Sequence, residues 1–217
     1  MSSGSESNIE LVKSLLKKES PDSLNGLRTS SWESKELVDI ISLNNLRKKN
    51  LHFLKIISKE EKHKIKIAMI SGYTTFPMEE IVNHFLNLEL FDVIMIVGDF
   101  DNYINEILDP ESKLNDFGPD VTILLPSFER CKYGGQINDP IESVEKEVNF
   151  QSKEILDLCE TLFQRHKTNI ILGNFPLPKF HDLGPLRSKL PTSLWNFRKK
   201  INLKIASSSH SMFIFAI

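Results

Sequence analysis

The chain has 217 residues, of which 40% are apolar and 26% charged, so it can bury a core large enough for one domain and an appendage. A formal net charge of -2 gives it no general attraction to nucleic acid or anionic lipid. The two cysteines, Cys131 and Cys159, have the spacing of neither a zinc site nor a disulfide framework, which fits a reducing cytoplasm. The N-terminus lacks the pattern of a signal peptide, and no apolar run has membrane-spanning length. We therefore expect a cytoplasmic protein that binds neither nucleic acid nor membrane.

Residues 1–60 are predicted to form a disordered start followed by a helical appendage. The serine-rich segment Met1–Ser7 indicates disorder, and Ser7 with Glu10 three positions later has the form of a capping box that opens a helix. Beyond the helix breakers between Pro21 and Gly26, apolar residues at helical spacing predict two more helices. Those residues are Leu37, Ile40, Ile41, Phe53, Leu54 and Ile57.

From residue 61 to residue 217 the pattern changes to strands, turns and helices. Near-continuous apolar runs separated by helical patterns are typical of a parallel sheet that is covered on both faces. The predicted strands are Ile65–Ile70, Val93–Val97, Val121–Leu125, Asn169–Leu172 and Met212–Ile217. The chain ends inside the fifth run, and we expect this to be an internal boundary of a longer fold, because an edge strand normally continues into a covering helix.

Four helices are predicted between and after these strands. They begin near Pro77, Tyr103, Ile141 and Pro191, where apolar residues recur at helical spacing. The long irregular segment Pro126–Pro140 follows the third strand and contains Gly134 and Gly135, so we expect it to be a lid or binding loop.

Ligands of parallel sheets bind beyond the carboxyl ends of the strands, so the candidate site residues are those that follow each strand. Ser71, Tyr73 and Thr74 follow the first strand, where a nucleophile or a phosphate cradle would lie. A serine nucleophile needs a histidine as general base, and no histidine follows a strand in the required way. The histidines considered are His84, His166, His181 and His210. Turn formation and helix capping are the alternative roles of these hydroxyls.

After the second strand, Asp99 and Asp101 have the Asp-x-Asp form of haloacid-dehalogenase-type (HAD) phosphatases. The later lysine and acidic pair of that family cannot be placed, so a solvated helix start capped by Asp99 or Asp101 is the preferred interpretation. Glu129 after the third strand and Asn174 after the fourth could contribute a carboxylate and an amide to the same edge. A plain turn is the alternative for Asn174.

The sequence resembles the N-terminal domain of FkbH-like proteins, an SGNH-hydrolase-like domain that precedes a HAD-like phosphatase domain. The resemblance rests on Lys66–Met78, Asn102–Ser112 and Pro119–Leu125, with weaker support from Asn174–Pro178. It implies a flavodoxin-like or SGNH-like three-layer α/β/α fold with a five-stranded parallel sheet, preceded by the helical appendage. We expect Asn102 and Tyr103, in the most specific of these segments, to contribute to substrate binding with the strand-end residues Thr74, Asp99, Glu129 and Asn174.

The family role implied by the resemblance is the making of glyceryl-type extender units for secondary metabolism, in which a phosphorylated three-carbon acid is loaded onto a carrier-protein thiol and dephosphorylated. The phosphatase domain of the family is absent from this sequence. Its SGNH motifs are also missing, since Tyr73 stands near the nucleophile position and Pro126–Glu129 replaces the block that bears asparagine. We therefore expect a chain that is not catalytically complete alone.

Two functions remain open from the sequence. The first is a module that presents a carrier-protein-bound or phosphoglycerate-type substrate to a HAD-like phosphatase domain, with an acyl carrier protein or that domain as partner and with no cofactor or metal. The alternative is an SGNH-like ester hydrolase or acyltransferase that uses Ser71 or Tyr73 with Asn174 at a non-standard site. A flavodoxin-like nucleotide binder is a third possibility that lacks the glycine-rich phosphate loop.

Overall fold

The computed structural model describes residues 3–58, 63–179, 183–208 and 213–216. These residues fold into two compact units. The first unit comprises the described residues up to Ile65 together with Thr75–Ile94, and the second comprises Lys66–Thr74 and the described residues from Met95 onward. The two units therefore interleave along the chain. The predicted division after residue 60 stays a prediction.

The strands form a sheet in the order β2-β1-β3-β4-β5, which is the flavodoxin-like order. Their bounds are β1 (His63–Ser71), β2 (Phe91–Val97), β3 (Val121–Leu125), β4 (Asn169–Gly173) and β5 (Phe213–Ala216). The pairs β1–β3, β3–β4 and β4–β5 are parallel, and their registers align Ser71 with Leu125 and Leu124 with Leu172. The predicted three-layer α/β fold with a parallel sheet is confirmed, whereas the specific likeness to SGNH hydrolases stays a prediction.

Within the second unit, helices follow the strands and cover the sheet. These helices are α6 (Tyr103–Leu108), α7 (Lys113–Phe117), α8 (Ile141–His166) and α9 (Leu194–Ser208), with a short 3₁₀ helix at Gly184–Ser188. Helix α8 packs against both α6 and α9. Its buried residues Val144, Val148, Ile155 and Leu162 lie on one face at helical spacing, which explains why this long sequence is a helix with one face in the core.

The first unit is helical apart from its strand residues, and its core is built from leucine and valine side chains. Its helices are α1 (Ser3–Lys17), α2 (Ser23–Glu33), α3 (Leu37–Lys49), α4 (Leu51–Ile57) and α5 (Met78–Leu88). The buried residues are Val12, Leu16, Leu27, Leu43, Leu54 and Leu88. Helix α5 packs against α2 and α3, which is why it belongs to this unit.

Two predictions about the first unit were wrong. Helix α1 begins at Ser3, so the predicted disorder through Ser7 and the capping box at Ser7 do not describe this segment. Helix α2 was not predicted, because Pro21 and Gly26 read as breakers. Gly26 instead lies inside α2, where a Cβ would approach Leu15 Cδ1 to 2.7 Å, so the glycine lets α1 and α2 pack closely.

Candidate functional site

The turn after β1 lies against the turn after β3, at the point where the strand order reverses. The Gly72 amide donates a hydrogen bond to the Leu125 carbonyl (2.8 Å). A Cβ on Gly72 would lie 2.3 Å from Ser127 Cα, so only glycine allows this approach. Crevices at such a reversal are where flavodoxin-like sheets bind ligands.

Ser71 helps to hold this turn. Its side chain is buried, and its Oγ accepts a hydrogen bond from the Tyr73 amide (3.0 Å). The hydroxyl therefore stabilises the turn, which is the alternative role that the sequence left open. The catalytic role expected for Ser71 stays a prediction.

Tyr73 packs on an aromatic neighbour of the β3 turn. The ring centroids of Tyr73 and Phe128 are 5.6 Å apart at an interplanar angle of 52°. Burial raises the pKa of the Tyr73 phenol, which favours its neutral form. The catalytic role expected for Tyr73 stays a prediction.

Two residues of α9 tie the turns after β3 and β4 together. The Arg198 guanidinium is buried and donates to the carbonyls of Cys131 (3.1 Å), Pro176 (2.9 Å) and Phe128 (2.6 Å). Asn202, one helical turn later, accepts from the Phe175 amide and donates to the Phe175 carbonyl, both at 2.9 Å. The carboxyl ends of β3 and β4 are thereby fixed relative to each other.

Beside these turns lies a cleft of about 440 Å³ between α6 and α8, which we call the α6–α8 cleft. Its volume is within the range of ligand sites in proteins. Its buried lining residues include Tyr103 from α6, Ser127 and Cys131 from the loop after β3, and Phe175 from the turn after β4. Burial raises the pKa of the Cys131 thiol to about 12, so this thiol is not a nucleophile.

An arginine and an aspartate lie at one side of the Tyr103 ring. Arg130 Nη2 donates to Asp101 Oδ2 (2.8 Å), and its guanidinium carbon lies 5.9 Å from the centroid of the Tyr103 ring. Asp101 has a φ of 51°, an unfavourable backbone conformation that this ion pair helps to hold. Burial raises the pKa of Tyr103, while a hydrogen bond from the Ser127 backbone and the Arg130 charge act in the opposite direction. The phenol of Tyr103 is therefore neutral, and its ring, held beside Arg130, forms part of the floor of the cleft.

The predicted site residues do not form one group. Tyr103 lines the α6–α8 cleft, whereas Asp99 and Asn102 line a second cleft of about 480 Å³ that also contains Glu106. The Asp99 amide donates to Glu106 Oε1 (2.7 Å). Helix α6 is capped at Asn102 without a side-chain cap bond, so the predicted N-cap roles of Asp99 and Asp101 were wrong.

The remaining predicted binding residues line neither cleft. Thr74, Glu129 and Asn174 are exposed at the ends of β1, β3 and β4, respectively. Their positions after the strands correctly place them at this edge of the sheet but do not place their side chains in a cleft. Their assignment to substrate binding stays a prediction.

The candidate general bases that the structure describes are occupied elsewhere. In the first unit, buried His84 accepts at Nδ1 from Arg47 Nε (3.1 Å), so its Nε2 carries the proton that is donated to Ser31 Oγ (2.9 Å). Burial, together with the Arg47 and Lys48 charges, lowers the pKa of His84 to about 4. In this tautomer the Nε2 atom of His84 already carries a proton, so it cannot accept one from Ser31.

In the second unit, His166 Nε2 is bonded to Asn115 Oδ1 (2.8 Å), and burial lowers its pKa. No described histidine hydrogen-bonds Ser71. His181 and His210 lie outside the described residues.

Sequence reasoning missed Arg130, Arg198 and Asn202. The run Arg198-Lys199-Lys200 was read as a solvated helix face, and for Arg198 this was wrong. A signal was present, because Arg198 lies four residues after Leu194 and three before buried Ile201, on the apolar face of α9. Arg130 had no sequence signal, since it stands in an irregular loop.

Within residues 3–58, 63–179, 183–208 and 213–216, no group of three or more His, Cys, Asp or Glu side chains could hold a metal ion. None of the helices in that part of the chain is both long enough and apolar enough to cross a membrane.

Comparison with known proteins gave a likeness of fold. Neither a protein-family model nor a curated protein matches the chain. A similar solved structure is the crystal structure of the N-terminal part of the protein BF1531 from Bacteroides fragilis, which contains a phosphatase domain and is complexed with Mg. The TM-score is 0.56 at 19% identity, over 71% of this chain and 40% of that chain. At this identity the likeness shows the fold alone, and this chain spans only 40% of that structure.

A second structure is that of a novel cobalamin-binding protein from Desulfitobacterium hafniense, with 17% identity over 81% of this chain and 80% of that chain. Its TM-score of 0.37 is below the level that indicates a common fold.

The sheet order and the cleft define a flavodoxin-like three-layer α/β protein with a ligand-sized cleft beside the carboxyl ends of β3 and β4. Among solved structures, this fold resembles the N-terminal part of a protein that contains a phosphatase domain.

Proposed function

We propose that this chain is a substrate-handling module of an FkbH-like protein, without a complete catalytic site of its own. It works beside a HAD-like phosphatase domain and presents a carrier-protein-bound or phosphoglycerate-type group during the making of glyceryl-type units. The observation that carries the proposal is the contrast at the sheet edge. The Ser71 hydroxyl is buried in its own turn, while a cleft of about 440 Å³ lies open beside the turns after β3 and β4.

The side chains of the cleft support binding in preference to chemistry. Its floor combines the apolar surfaces of Tyr103 and Phe175, which suit the acyl end of a thioester arm. Burial raises the pKa of both Tyr103 and Cys131, which favours their neutral and less nucleophilic forms. The turns that form the floor are held by Arg198 and Asn202, so the cleft is preorganised.

The likeness to the N-terminal part of BF1531 supports the pairing with a phosphatase domain at the level of fold. In that structure, the phosphatase domain is part of the same protein. We therefore propose a HAD-like phosphatase domain as partner and an acyl carrier protein as the carrier of the group.

Binding to a loaded carrier tests the proposal. A ¹⁵N-labelled acyl carrier protein bearing a glyceryl thioester is titrated with the full chain, and its amide shifts are expected to change and saturate. Phe150, 58% exposed at the rim of the cleft, offers a variant that does not disturb the core. Phe150→Ser is expected to weaken binding about tenfold by removing aromatic contact area.

The matched control is Leu203→Ser, which changes a residue on α9 that is 65% exposed and lies outside the cleft. It is expected to leave the affinity within about twofold of wild type. Equal weakening by both variants, or no change in the carrier spectrum, contradicts the proposed function.

The alternative, an SGNH-like hydrolase or acyltransferase, makes a different prediction. If Ser71 or Tyr73 attacks an ester or thioester, then Ser71→Ala or Tyr73→Phe must abolish turnover of an acyl-thioester panel. We expect wild type and both variants to show the same background rate. A wild-type rate well above that of Ser71→Ala would favour the hydrolase instead.

A further inference from the structure

A half-buried tryptophan of the second unit carries two cations. The guanidinium carbon of Arg187 lies 5.5 Å from the centroid of the Trp195 ring, and Lys199 Nζ lies 4.5 Å from the same centroid. Arg187 belongs to the 3₁₀ helix and Lys199 to α9, so two different elements bring like charges to one ring. We call Arg187, Trp195 and Lys199 the Trp195 platform. None of the three lines the α6–α8 cleft or the second cleft.

The positive charge of the platform is not neutralised by its own segment. Residues 183–208 contain arginine and lysine side chains but no aspartate or glutamate. Lys200 is paired with Glu145 of α8. Neither Arg187 nor Lys199 forms an ion pair within the part of the chain that the structure describes.

A second carboxylate near the start of α9 is engaged elsewhere. Thr192 Oγ1 donates to the Ile137 carbonyl (2.9 Å), which brings the loop that contains Asp139 toward this helix. Asp139 Oδ2 accepts hydrogen bonds from Tyr133 Oη (2.7 Å) and from the Gln136 amide (2.8 Å). Asp139 therefore forms its hydrogen bonds inside its own loop and pairs with neither cation of the platform.

The backbone that carries the platform is held by side-chain hydrogen bonds. Asn196 Nδ2 donates to the carbonyls of Arg187 and Leu190, both at 2.9 Å, and Ser193 Oγ donates to the Arg187 carbonyl (2.6 Å). These bonds join the 3₁₀ helix to the first turn of α9. A partner therefore meets cations whose backbones are already fixed, which reduces the entropy cost of binding.

The composition of the platform favours a protein partner over nucleic acid or membrane. Tryptophan and arginine are enriched at the hot spots of protein interfaces, and Leu186, which precedes Arg187 and is 57% exposed, adds apolar contact area. A base-stacking site needs an open aromatic face, but two cations lie over the Trp195 ring. Anionic membranes are normally bound by larger clusters of cations.

We propose that the Trp195 platform is a docking surface for an acidic segment of a partner protein. Carboxylates of that segment pair with Arg187 and Lys199, and its apolar side chains pack on Trp195 and Leu186. Charge complementarity carries the assignment, because exposed like charges held at one ring are stabilised when an acidic surface covers them. The platform lies outside the α6–α8 cleft, so this proposal is independent of the function proposed above.

Binding of an acidic helical peptide built of Glu, Ala and Leu to the ¹⁵N-labelled full chain tests the proposal. At low salt the indole N–H of Trp195 and the amide of Lys199 are expected to shift and saturate, and added salt should weaken the binding. Arg187→Gln with Lys199→Gln should weaken the binding about fivefold to tenfold, because two exposed ion pairs are lost. Arg187→Lys with Lys199→Arg keeps both charges and should retain most of the affinity.

Matched controls separate the platform from the overall charge. Lys17 and Lys35 are exposed residues of the first unit, so Lys17→Gln with Lys35→Gln makes the same charge change there and should leave the affinity within about twofold of wild type. The same peptide with Gln in place of Glu should not bind. Equal weakening by the two pairs of variants, or peptide binding without shifts at Trp195 and Lys199, overturns the proposal.

Two other polyanions test the class of partner. A charge-matched oligodeoxythymidylate and vesicles that contain phosphatidylserine are expected to bind more weakly than the acidic peptide. Either one binding as tightly as the peptide, with the affinity lost in Arg187→Gln with Lys199→Gln, overturns the assignment to an acidic protein. Carrier binding at the α6–α8 cleft is measured with Phe150→Ser, so the proposed function and this proposal fail in different measurements.

Discussion

Arg198 is expected to be a main stabilising residue of the second unit, and replacing it tests how the floor of the cleft is held. Its guanidinium donates to the carbonyls of Phe128, Cys131 and Pro176, and its charge lies 5.7 Å from the Phe128 ring centroid. Arg198→Met fills much of the same volume but leaves three carbonyls without this donor. Because each charged hydrogen bond contributes about 1.5–3 kcal/mol and the three are not additive, we expect a loss of roughly 3–5 kcal/mol.

The neighbouring residue provides the control. Lys199 is exposed and lies over the Trp195 ring at 4.5 Å, a contact worth about 0.5–1 kcal/mol, so Lys199→Met should cost no more than that. Urea unfolding is followed by the fluorescence of Trp195 in a Trp32→Phe background, so that the signal reports on the second unit. A free energy of unfolding for Arg198→Met within about 1 kcal/mol of that for Lys199→Met would refute the assigned role.

Two further predictions use matched variants. A Cβ on Gly72 would overlap the Ser127 backbone, while one on Gly134 meets nothing within 4 Å, so Gly72→Ala should lower the melting temperature markedly and Gly134→Ala should leave it unchanged or slightly raised. The folded pKa of His84, about 4, lies below its unfolded value of about 6.5. Neutral His84 therefore favours the folded state fully above pH 6.5, and the free energy of unfolding should drop by roughly 3 kcal/mol as the pH falls toward 4. His84→Gln should remove this pH dependence of the unfolding free energy, whereas His52→Gln, at an exposed position, should retain it. A wild-type unfolding free energy that stays constant between pH 6.5 and 4 would contradict the lowered pKa of His84.

The strands and most helices were predictable because burial leaves a direct pattern in the sequence. The runs that became β1, β3 and β4 are continuous and apolar, and the spacing of Val144, Val148 and Ile155 marks α8. Helix α2 escaped prediction because the role of Gly26 depends on contact with another helix. A residue-by-residue pattern carries no information on such a contact.

The site was less predictable than the fold, for a physical reason. Position at a strand end places Ser71 and Asn174 at the correct edge, yet only the turn geometry directs the Ser71 hydroxyl to the Tyr73 amide and leaves Asn174 exposed. The cleft itself arises between α6 and α8, which are far apart in sequence. Tyr103 was proposed because its segment resembled a family motif, and it lines the cleft, but its role in binding stays a prediction. The pairing of Arg130 with Asp101 depends on the path of an irregular loop, which leaves no pattern in the sequence.

The central claim is that the second unit handles a carrier-bound group in the α6–α8 cleft and performs no chemistry on it. The most direct measurement is a titration of the ¹⁵N-labelled chain with acyl carrier protein bearing a dephosphorylated glyceryl thioester. The account predicts saturable shifts centred on the amides of Tyr103, Ser127 and Phe175, with the thioester intact at the end of the titration and with weaker binding in Phe150→Ser. Shifts located away from these residues, or hydrolysis of the thioester that is lost in Ser71→Ala, would contradict it.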